Sequence, residues 1–253
     1  MTAEPPSAVE KVLLVLDAVT TERRLSDICR ATGLPLSTAH RILNELVAAG
    51  WVRQDHDRGY APHTRLLGLA GRLINKGGHA ELVRHAIQRL NEITGYTIHL
   101  GVRQGDQVLY TEKLDGQRAY QMRSYIGQAV HLHSTGMGKA ILACLPEPEV
   151  TAIAARTGLP AMTPATITDP AGLMAHLAQI RARGWAWDDG ENEQHTRCIA
   201  AAVLDDGGVP VAGISISGLE YDLSLDRAAE FAAPLLDAAE EIGRAFGAAG
   251  ARP

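Results

Sequence analysis

Apolar residues in the first 50 positions recur at the three- and four-residue spacing of amphipathic helices. In residues 7–19 one predicted buried face contains Val9, Val12, Leu13 and Leu16. A second helix is predicted to begin at Ser26, as its N-cap, and to end at Gly33. A third is predicted to run from about residue 36 to Ala49. Three short helices in this order indicate a small helical unit.

The third predicted helix has two chemically different faces. Its buried face is predicted at the i, i+3, i+4, i+7 positions Ala39, Ile42, Leu43 and Leu46. The opposite face and its flanks offer hydroxyls, an imidazole, a guanidinium and an amide, from Ser37, Thr38, His40, Arg41 and Asn44. Arginine pairs with guanine and asparagine with adenine in a major groove, and hydroxyls contact phosphates. This predicts the recognition helix of a helix-turn-helix, with Ser26 as a further DNA contact.

Two short strand-like pieces follow, around residues 51–53 and 60, with a polar turn at 55–59. They predict a wing whose Arg58 contacts phosphate or enters a minor groove. Alternatively, Arg58 is an ordinary turn residue and the three helices form a bundle with a solvated face. The hairpin and a local excess of seven basic over five acidic residues in 21–65 favour DNA binding.

The remaining pattern predicts a linker helix over 64–75, a Gly77-Gly78 hinge and a mixed second unit. A helix with Leu82, Ala86, Leu90 and Ile93 on its inner face is predicted to end at Gly95. Strands are predicted over 96–103, 107–114, 119–127, 198–205 and 209–217, and helices from Gly136 and over 147–157, 170–183 and 226–246. The expected fold class is α+β, with domains at 1–62, 63–78 and 79–253.

Composition narrows the class of protein. The 253 residues are 46% hydrophobic and 21% charged, as in ordinary globular proteins. Residues 1–75 carry a net charge of +1 and residues 76–253 a net charge of −6, so an anionic partner is expected at the N-terminal unit. No long apolar run or signal-like N-terminus is present, and three scattered cysteines indicate reduced thiols. A cytoplasmic protein without membrane contact or cofactor is expected.

Several stretches resemble the IclR family of transcriptional regulators. Residues 33–55 (GLPLSTAHRILNELVAAGWVRQD) resemble its winged-helix domain. Residues 131–142, 183–208 and 211–218 (HLHSTGMGKAIL, RGWAWDDGENEQHTRCIAAAVLDDGG, VAGISISG) resemble its effector-binding domain. The resemblance implies a winged helix-turn-helix, a linker helix and a GAF/PAS-like ligand domain with an antiparallel sheet. It also implies homodimers, often paired into tetramers, which bind near-palindromic double-stranded operators and repress or activate catabolic or metabolic genes.

Matching the family's pocket positions implies an effector site made of Val130, Gly136, Met137, Asp188, His195, Thr196, Cys198, Ser215 and Ser217. The residue types agree, since a helix N-terminus binds anions and alternate serines share one sheet face. A small organic or aromatic acid is therefore expected as effector. His195 replaces a usual glycine and Thr196 a usual apolar residue, which predicts a more polar rim. The serines could instead face solvent, Cys198 could be a buried apolar group and Asp188 a turn acid.

Two other functions are open at this point. His131 and His133 alternate along a predicted strand and, with Asp188, His195 and Cys198, could form the site of a metal sensor. Ser215 lies in Gly-Ile-Ser-Ile-Ser, which only approximates the nucleophile elbow of a hydrolase. No phosphate loop, dinucleotide fingerprint or HExxH motif is present, so an enzyme is not expected.

Overall fold

The chain forms two compact units, residues 1–77 and 78–253. The structure is a computed structural model that describes residues 6–55, 57–66, 68–69, 80–117 and 122–250. Residues 64–66 and 68–69 are helical, as the predicted linker helix requires. The rest of that helix and the predicted Gly77-Gly78 hinge lie outside the described residues. The domain limits at 62/63 and 78/79 stay predictions.

The N-terminal unit contains α1 (Ala8–Ala18), α2 (Leu25–Thr32), α3 (Leu36–Ala48) and an antiparallel hairpin of β1 (Val52–Gln54) and β2 (Tyr60–Pro62). Only half of the predicted face of α1 is confirmed, because Val12 and Leu16 are partly buried against the core of this unit. Val9 and Leu13 are 68% and 58% exposed, whereas Val15, Ala18 and Val19 are buried. Periodicity identified an apolar stripe, but the stripe that packs against the rest of the unit contains Val12, Val15, Leu16 and Val19.

The start of α2 also differs from the prediction. Ser26 is the second residue of the helix and not its N-cap, which is Arg24. The reason is that the Arg24 carbonyl accepts hydrogen bonds from the N–H groups of Asp27 and Ile28 at 3.0 Å. Gly33 ends the helix as predicted, in the left-handed conformation at φ 67° that glycine adopts without strain.

The C-terminal unit is a six-stranded antiparallel sheet with helices on both faces, so the α+β class is confirmed. Its strand order is β5-β4-β3-β8-β7-β6, with bounds β3 (Thr97–Gln104), β4 (Gln107–Leu114), β5 (Ala129–His131), β6 (Ala186–Asp189), β7 (Thr196–Leu204) and β8 (Pro210–Leu219). The helices are α4 (Ala80–Thr94), α5 (Gly136–Ala143), α6 (Glu147–Thr157), α7 (Pro170–Arg183), α8 (Leu225–Glu230) and α9 (Ala232–Gly250).

Each face of the sheet has its own core. Ile98, Ile214 and Ile216 pack with α4 and α9 on one face, while α5, α6 and α7 form a second core on the other. Because side chains alternate along β8, Ser215 and Ser217 point to the α5 face. A polar pair in an otherwise apolar strand therefore lies inside the molecule, with both serines 3% exposed.

Three further predictions are wrong in detail. Leu82 and Ile93 of α4 are exposed, and Val83 and Ile87 are buried in their place. Of the strand predicted at 119–127, the described part, 122–127, forms turns and no strand, because Gly127 has φ 92° and a Tyr125–Gln128 turn closes there. The last helix is broken at Phe231, and β6 was not predicted at all.

Candidate functional site

Helix α3 presents a polar face to solvent. Ala39, Ile42, Leu43 and Leu46 are all buried, as predicted. On the outward side Ser37, His40, Arg41 and Asn44 are exposed and Thr38 is half-buried. The Arg41 guanidinium donates to the Glu45 carboxylate at 2.6 Å, and both side chains are more than 60% exposed. Such a surface ion pair is weak, so a DNA acceptor could replace Glu45 at little cost.

The hairpin after α3 is anchored to the start of α2. The Tyr60 N–H donates to the Arg23 carbonyl at 2.8 Å, and the Arg23 guanidinium donates to the Asp55 carboxylate at 2.6 Å. Arg58 lies at the exposed turn with φ 60° and, within the described residues, forms no ion pair. The tight Gly33–Pro35 turn and this hairpin give the geometry of a winged helix-turn-helix. Ser26 is exposed on α2.

A cavity of about 120 Å³ lies in the C-terminal unit on the α5 face of the sheet. Seven of the residues that the resemblance implied line it: Gly136, Met137, Asp188, Thr196, Cys198, Ser215 and Ser217. Strand register explains the assembly, because Asp188 pairs with Cys198 and Cys198 with Ser217 across three neighbouring strands. Paired residues of antiparallel strands point to the same face, so these three side chains form one row.

Val130 and His195 do not line this cavity. Val130 is buried in the apolar core that packs under α5. His195 has φ 66°, and its Nδ1 lies 2.9 Å from a Glu220 carboxylate oxygen, with the imidazole 65% exposed. The left-handed turn therefore accompanies an outward imidazole. The predicted polar rim loses His195 and keeps Thr196, which is buried at the cavity.

His99 on β3 is a cavity residue that sequence reasoning missed. Its Nε2 lies 2.7 Å from the Ser124 hydroxyl, its Nδ1 lies 3.4 Å from the Ser217 hydroxyl, and its ring stacks on Tyr110 at 4.9 Å. Burial, with a smaller effect from the Lys113 cation, lowers the pKa of His99 to about 4. The imidazole is thus neutral and can donate from one nitrogen and accept at the other. A histidine inside the apolar run YTIHLGV was the available signal.

Asp188 is the buried acid of the cavity, with 2% of the residue exposed. Its Oδ1 accepts the Glu191 N–H at 2.8 Å, and the side chain lies beside the start of α5, where a Cβ added at Gly136 would be 3.7 Å from the Asp188 Cβ. Burial raises the pKa of Asp188 to about 7, while the Lys139 cation opposes that rise. At neutral pH the carboxyl is therefore poised between its two protonation states.

Cys198 lies beside Asp188 and remains a thiol. Its Sγ donates to the Ser217 hydroxyl at 3.2 Å. Burial raises the pKa of this thiol far above its usual range, and the Asp188 carboxylate adds to the rise. Because the thiolate is the reactive form, this environment suits a neutral hydrogen-bonding group.

A buried ion pair joins α5 to the loop after β6. Lys139 is fully buried, donates to the Trp187 carbonyl at 2.9 Å and forms a short ion pair with the Glu191 carboxylate. Burial raises the pKa of Glu191, and the Lys139 cation counteracts this effect. The buried cation that acts on Asp188 is therefore already engaged by another carboxylate.

The structure does not favour a metal sensor. Among the described residues, no group of three or more His, Cys, Asp or Glu side chains could hold a metal ion. His133 hydrogen-bonds the Pro160 carbonyl at 3.0 Å, and His195 turns away from Asp188 and Cys198 to Glu220. Nor does any helix within the described ranges have the length and apolar character needed to cross a membrane.

Comparison with known proteins covers both units. The IclR helix-turn-helix domain model matches residues 8–56, and the model of the C-terminal domain of the bacterial transcriptional regulator IclR matches residues 75–244. The chain is 33% identical over 228 residues to the transcriptional repressor IclR of Escherichia coli K12, covering 88% of this chain and 82% of that protein.

Two solved structures agree with this match. The Thermotoga maritima IclR structure has a TM-score of 0.77 and 31% identity, covering 94% of this chain and 98% of its own. An IclR homologue from Microbacterium hydrocarbonoxydans, complexed with 4-hydroxybenzoate, has a TM-score of 0.80 and 25% identity, covering 96% of this chain and 100% of its own. Because one family model matches residues 8–56 and the other matches residues 75–244, this chain belongs to the IclR family of bacterial transcriptional regulators.

Proposed function

We propose that this protein binds a near-palindromic operator as a homodimer, or a dimer of dimers, and that a small organic or aromatic acid changes its affinity for that operator. The observation that carries the DNA part is the outward face of α3, where Ser37, His40, Arg41 and Asn44 are exposed above a fully buried apolar face. Thr38, Ser26 and Arg58 complete the proposed contacts. Two symmetric recognition helices predict half-sites about 10 base pairs apart, or a multiple of that.

The cavity supports the effector part of the proposal. Its volume of about 120 Å³ is smaller than the pockets of about 300–1,000 Å³ that drug-sized ligands occupy, so a small ligand is expected. Its proposed contacts are Gly136, Met137, Asp188, Thr196, Cys198, Ser215 and Ser217, and we add His99. The acid's carboxylate would lie at the N-terminus of α5, and its neutral oxygens would meet the hydroxyls and imidazole. The homologue with 4-hydroxybenzoate supports an acid of this size.

The effector acts by preferring one arrangement of the protein over another. A ligand that binds the DNA-competent arrangement less tightly lowers operator affinity, and one that binds it more tightly raises it. Repression and activation are both compatible with this linkage. The controlled genes are proposed to be catabolic or metabolic, because the signal is a small metabolite.

The DNA part is tested at Arg41. Operator fragments are selected from random duplex DNA with the purified protein, and affinity is then measured at fixed salt. Arg41→Ala is expected to weaken binding by about 1–3 kcal/mol and to relax base choice at one position. Glu45→Gln is the matched control, since it releases Arg41 from its ion pair and should leave binding equal or tighter. Unchanged affinity and base preference in Arg41→Ala would remove Arg41 as a base reader.

The effector part is tested by a thermal-shift screen with small carboxylates and aromatic acids, because a ligand selective for the folded state raises its melting temperature. A variant with both Ser215→Ala and Ser217→Ala should lose the ligand response and keep operator binding. A double variant that still responds normally would exclude the serines from the site.

A further inference from the structure

The charges around the cavity do not form a ready-made site for an anion. Among the residues that the structure describes, two carboxyl groups line it, from Asp188 and Glu193, and one cation, from Arg123, whose residue is exposed. Lys139 lies close by, but it is paired with Glu191. An acid that enters this cavity therefore meets more negative than uncompensated positive charge.

The position of Asp188 sharpens this conflict. The N-terminus of α5 is where the effector's carboxylate is proposed to lie, yet Asp188 already lies beside it, since a Cβ added at Gly136 would be 3.7 Å from the Asp188 Cβ. Two carboxyl groups that share one buried site cannot both stay ionised, so one of them holds a proton. The helix N-terminus favours a single negative charge and does not compensate two.

We propose that Asp188 takes up a proton when the cavity binds a carboxylate, so that the effector enters together with one proton. This inference rests on the proposed effector function. The protonated carboxyl no longer repels the ligand, and its O–H becomes a donor toward the ligand's oxygen. The cavity is thereby selective for a monocarboxylate, because a second carboxylate on the ligand would need a second proton.

The groups that face Asp188 from the surrounding elements leave it as the proton acceptor. They are Lys139 on α5, Glu191 and Glu193 in the loop after β6, Cys198 on β7, Tyr110 on β4, His99 on β3 and Arg123 in the 122–128 segment. Cys198 and Tyr110 already hold their protons, since burial raises the pKa of both. Protonation of His99 is disfavoured by burial, which lowers its pKa to about 4.

The two glutamates differ from Asp188 in their surroundings. Lys139 stabilises the ionised form of Glu191 through a direct contact. Glu193 is half-buried, whereas Asp188 is buried and lies against the start of α5. Burial raises the pKa of Asp188 to about 7, so uptake at neutral pH needs only a small further rise. Glu193 is the rival acceptor that an experiment must separate.

The test is calorimetric titration of the full-length protein with pyruvate and with 4-hydroxybenzoate. Each titration is done at about pH 6 and about pH 8, in two buffers of different ionisation enthalpy, which together count the protons taken up. We expect uptake approaching one proton at the higher pH and affinity that falls by up to about tenfold per pH unit above the pKa of Asp188. The uncharged 4-hydroxybenzamide should bind without proton uptake.

Two variants assign the proton. Asp188→Asn should bind the acids with no proton uptake and with affinity independent of pH, while Glu193→Gln should retain the uptake. Acid binding by the wild-type protein at about pH 8 without proton uptake overturns the inference and leaves the proposed effector function standing. Uptake that persists in Asp188→Asn and disappears in Glu193→Gln also overturns it. If neither acid binds at either pH, the proposed effector site fails, and this inference fails with it.

Discussion

Replacing Lys139 with methionine should strongly destabilise the C-terminal unit. Lys139 is fully buried, pairs with Glu191 and donates to the Trp187 carbonyl. Methionine keeps much of the apolar stem but removes the cation, which leaves the Glu191 carboxylate buried and unpaired. Breaking a buried ion pair from one side costs about 3–5 kcal/mol, and losing the hydrogen bond to the Trp187 carbonyl adds about 1 kcal/mol.

The assay is urea unfolding of the full-length chain, followed by the fluorescence of Trp185 and Trp187 in the C-terminal unit. The matched control is the double variant Lys139→Met/Glu191→Gln, which removes both charges and should recover most of the loss. A loss below about 1 kcal/mol in Lys139→Met, or a double variant no more stable than the single one, would refute the buried pair as described.

The deficit of Lys139→Met should also depend on pH. Burial raises the pKa of Glu191, and the Lys139 cation that lowers it is absent in the variant. A carboxyl whose folded pKa exceeds its unfolded pKa binds more protons in the folded state, so its contribution to stability is lost as pH rises. The deficit should therefore be smaller at about pH 5 than at about pH 8. A deficit that grows as pH falls would contradict this sign.

Three further outcomes are expected. In Gly138→Ala the added Cβ would lie 2.2 Å from the Leu132 carbonyl oxygen, so urea unfolding should show a loss of stability of about 1–3 kcal/mol or more. Gly136→Ala should lose less stability, because the nearest contact of its added Cβ is 3.1 Å away. Equal losses in the two variants would contradict this geometry. Because burial raises the pKa of Asp188 to about 7, the stability of the wild-type protein should contain a component that falls between about pH 4 and pH 7. Urea unfolding of Asp188→Asn over the same pH range should lack this component. Identical pH profiles of the two proteins would exclude the buried acid. His99→Ala should weaken the binding of 4-hydroxybenzoate, measured by calorimetry, more than the binding of benzoate, because the imidazole is proposed to meet the neutral hydroxyl oxygen of the ligand. An equal loss of affinity for both acids would place His99 outside the site.

Local patterns in the sequence were sufficient for much of the fold. Periodicity and turn chemistry, which act between near neighbours in the chain, were enough to predict three features. These are the two faces of α3, the ends of the helices at 147–157 and 170–183, and the β7–β8 hairpin. The resemblance to the IclR family is confirmed by the models that match both units. The same patterns failed for half of the predicted face of α1, because Val9 and Leu13 lie in solvent while Val12 and Leu16 pack against the core.

Only the tertiary structure determined which side chains line the cavity and in which protonation states. Family positions pointed to Asp188, Cys198 and Ser217, but the row they form depends on the register of three strands that are distant along the chain. Strand register also places His99 opposite Ser215 at the cavity. The turn at His195 directs the imidazole, which was a predicted site residue, away from the cavity toward Glu220. Protonation states were equally beyond the sequence, because desolvation and partners, which exist only in the packed molecule, set whether a carboxyl is charged.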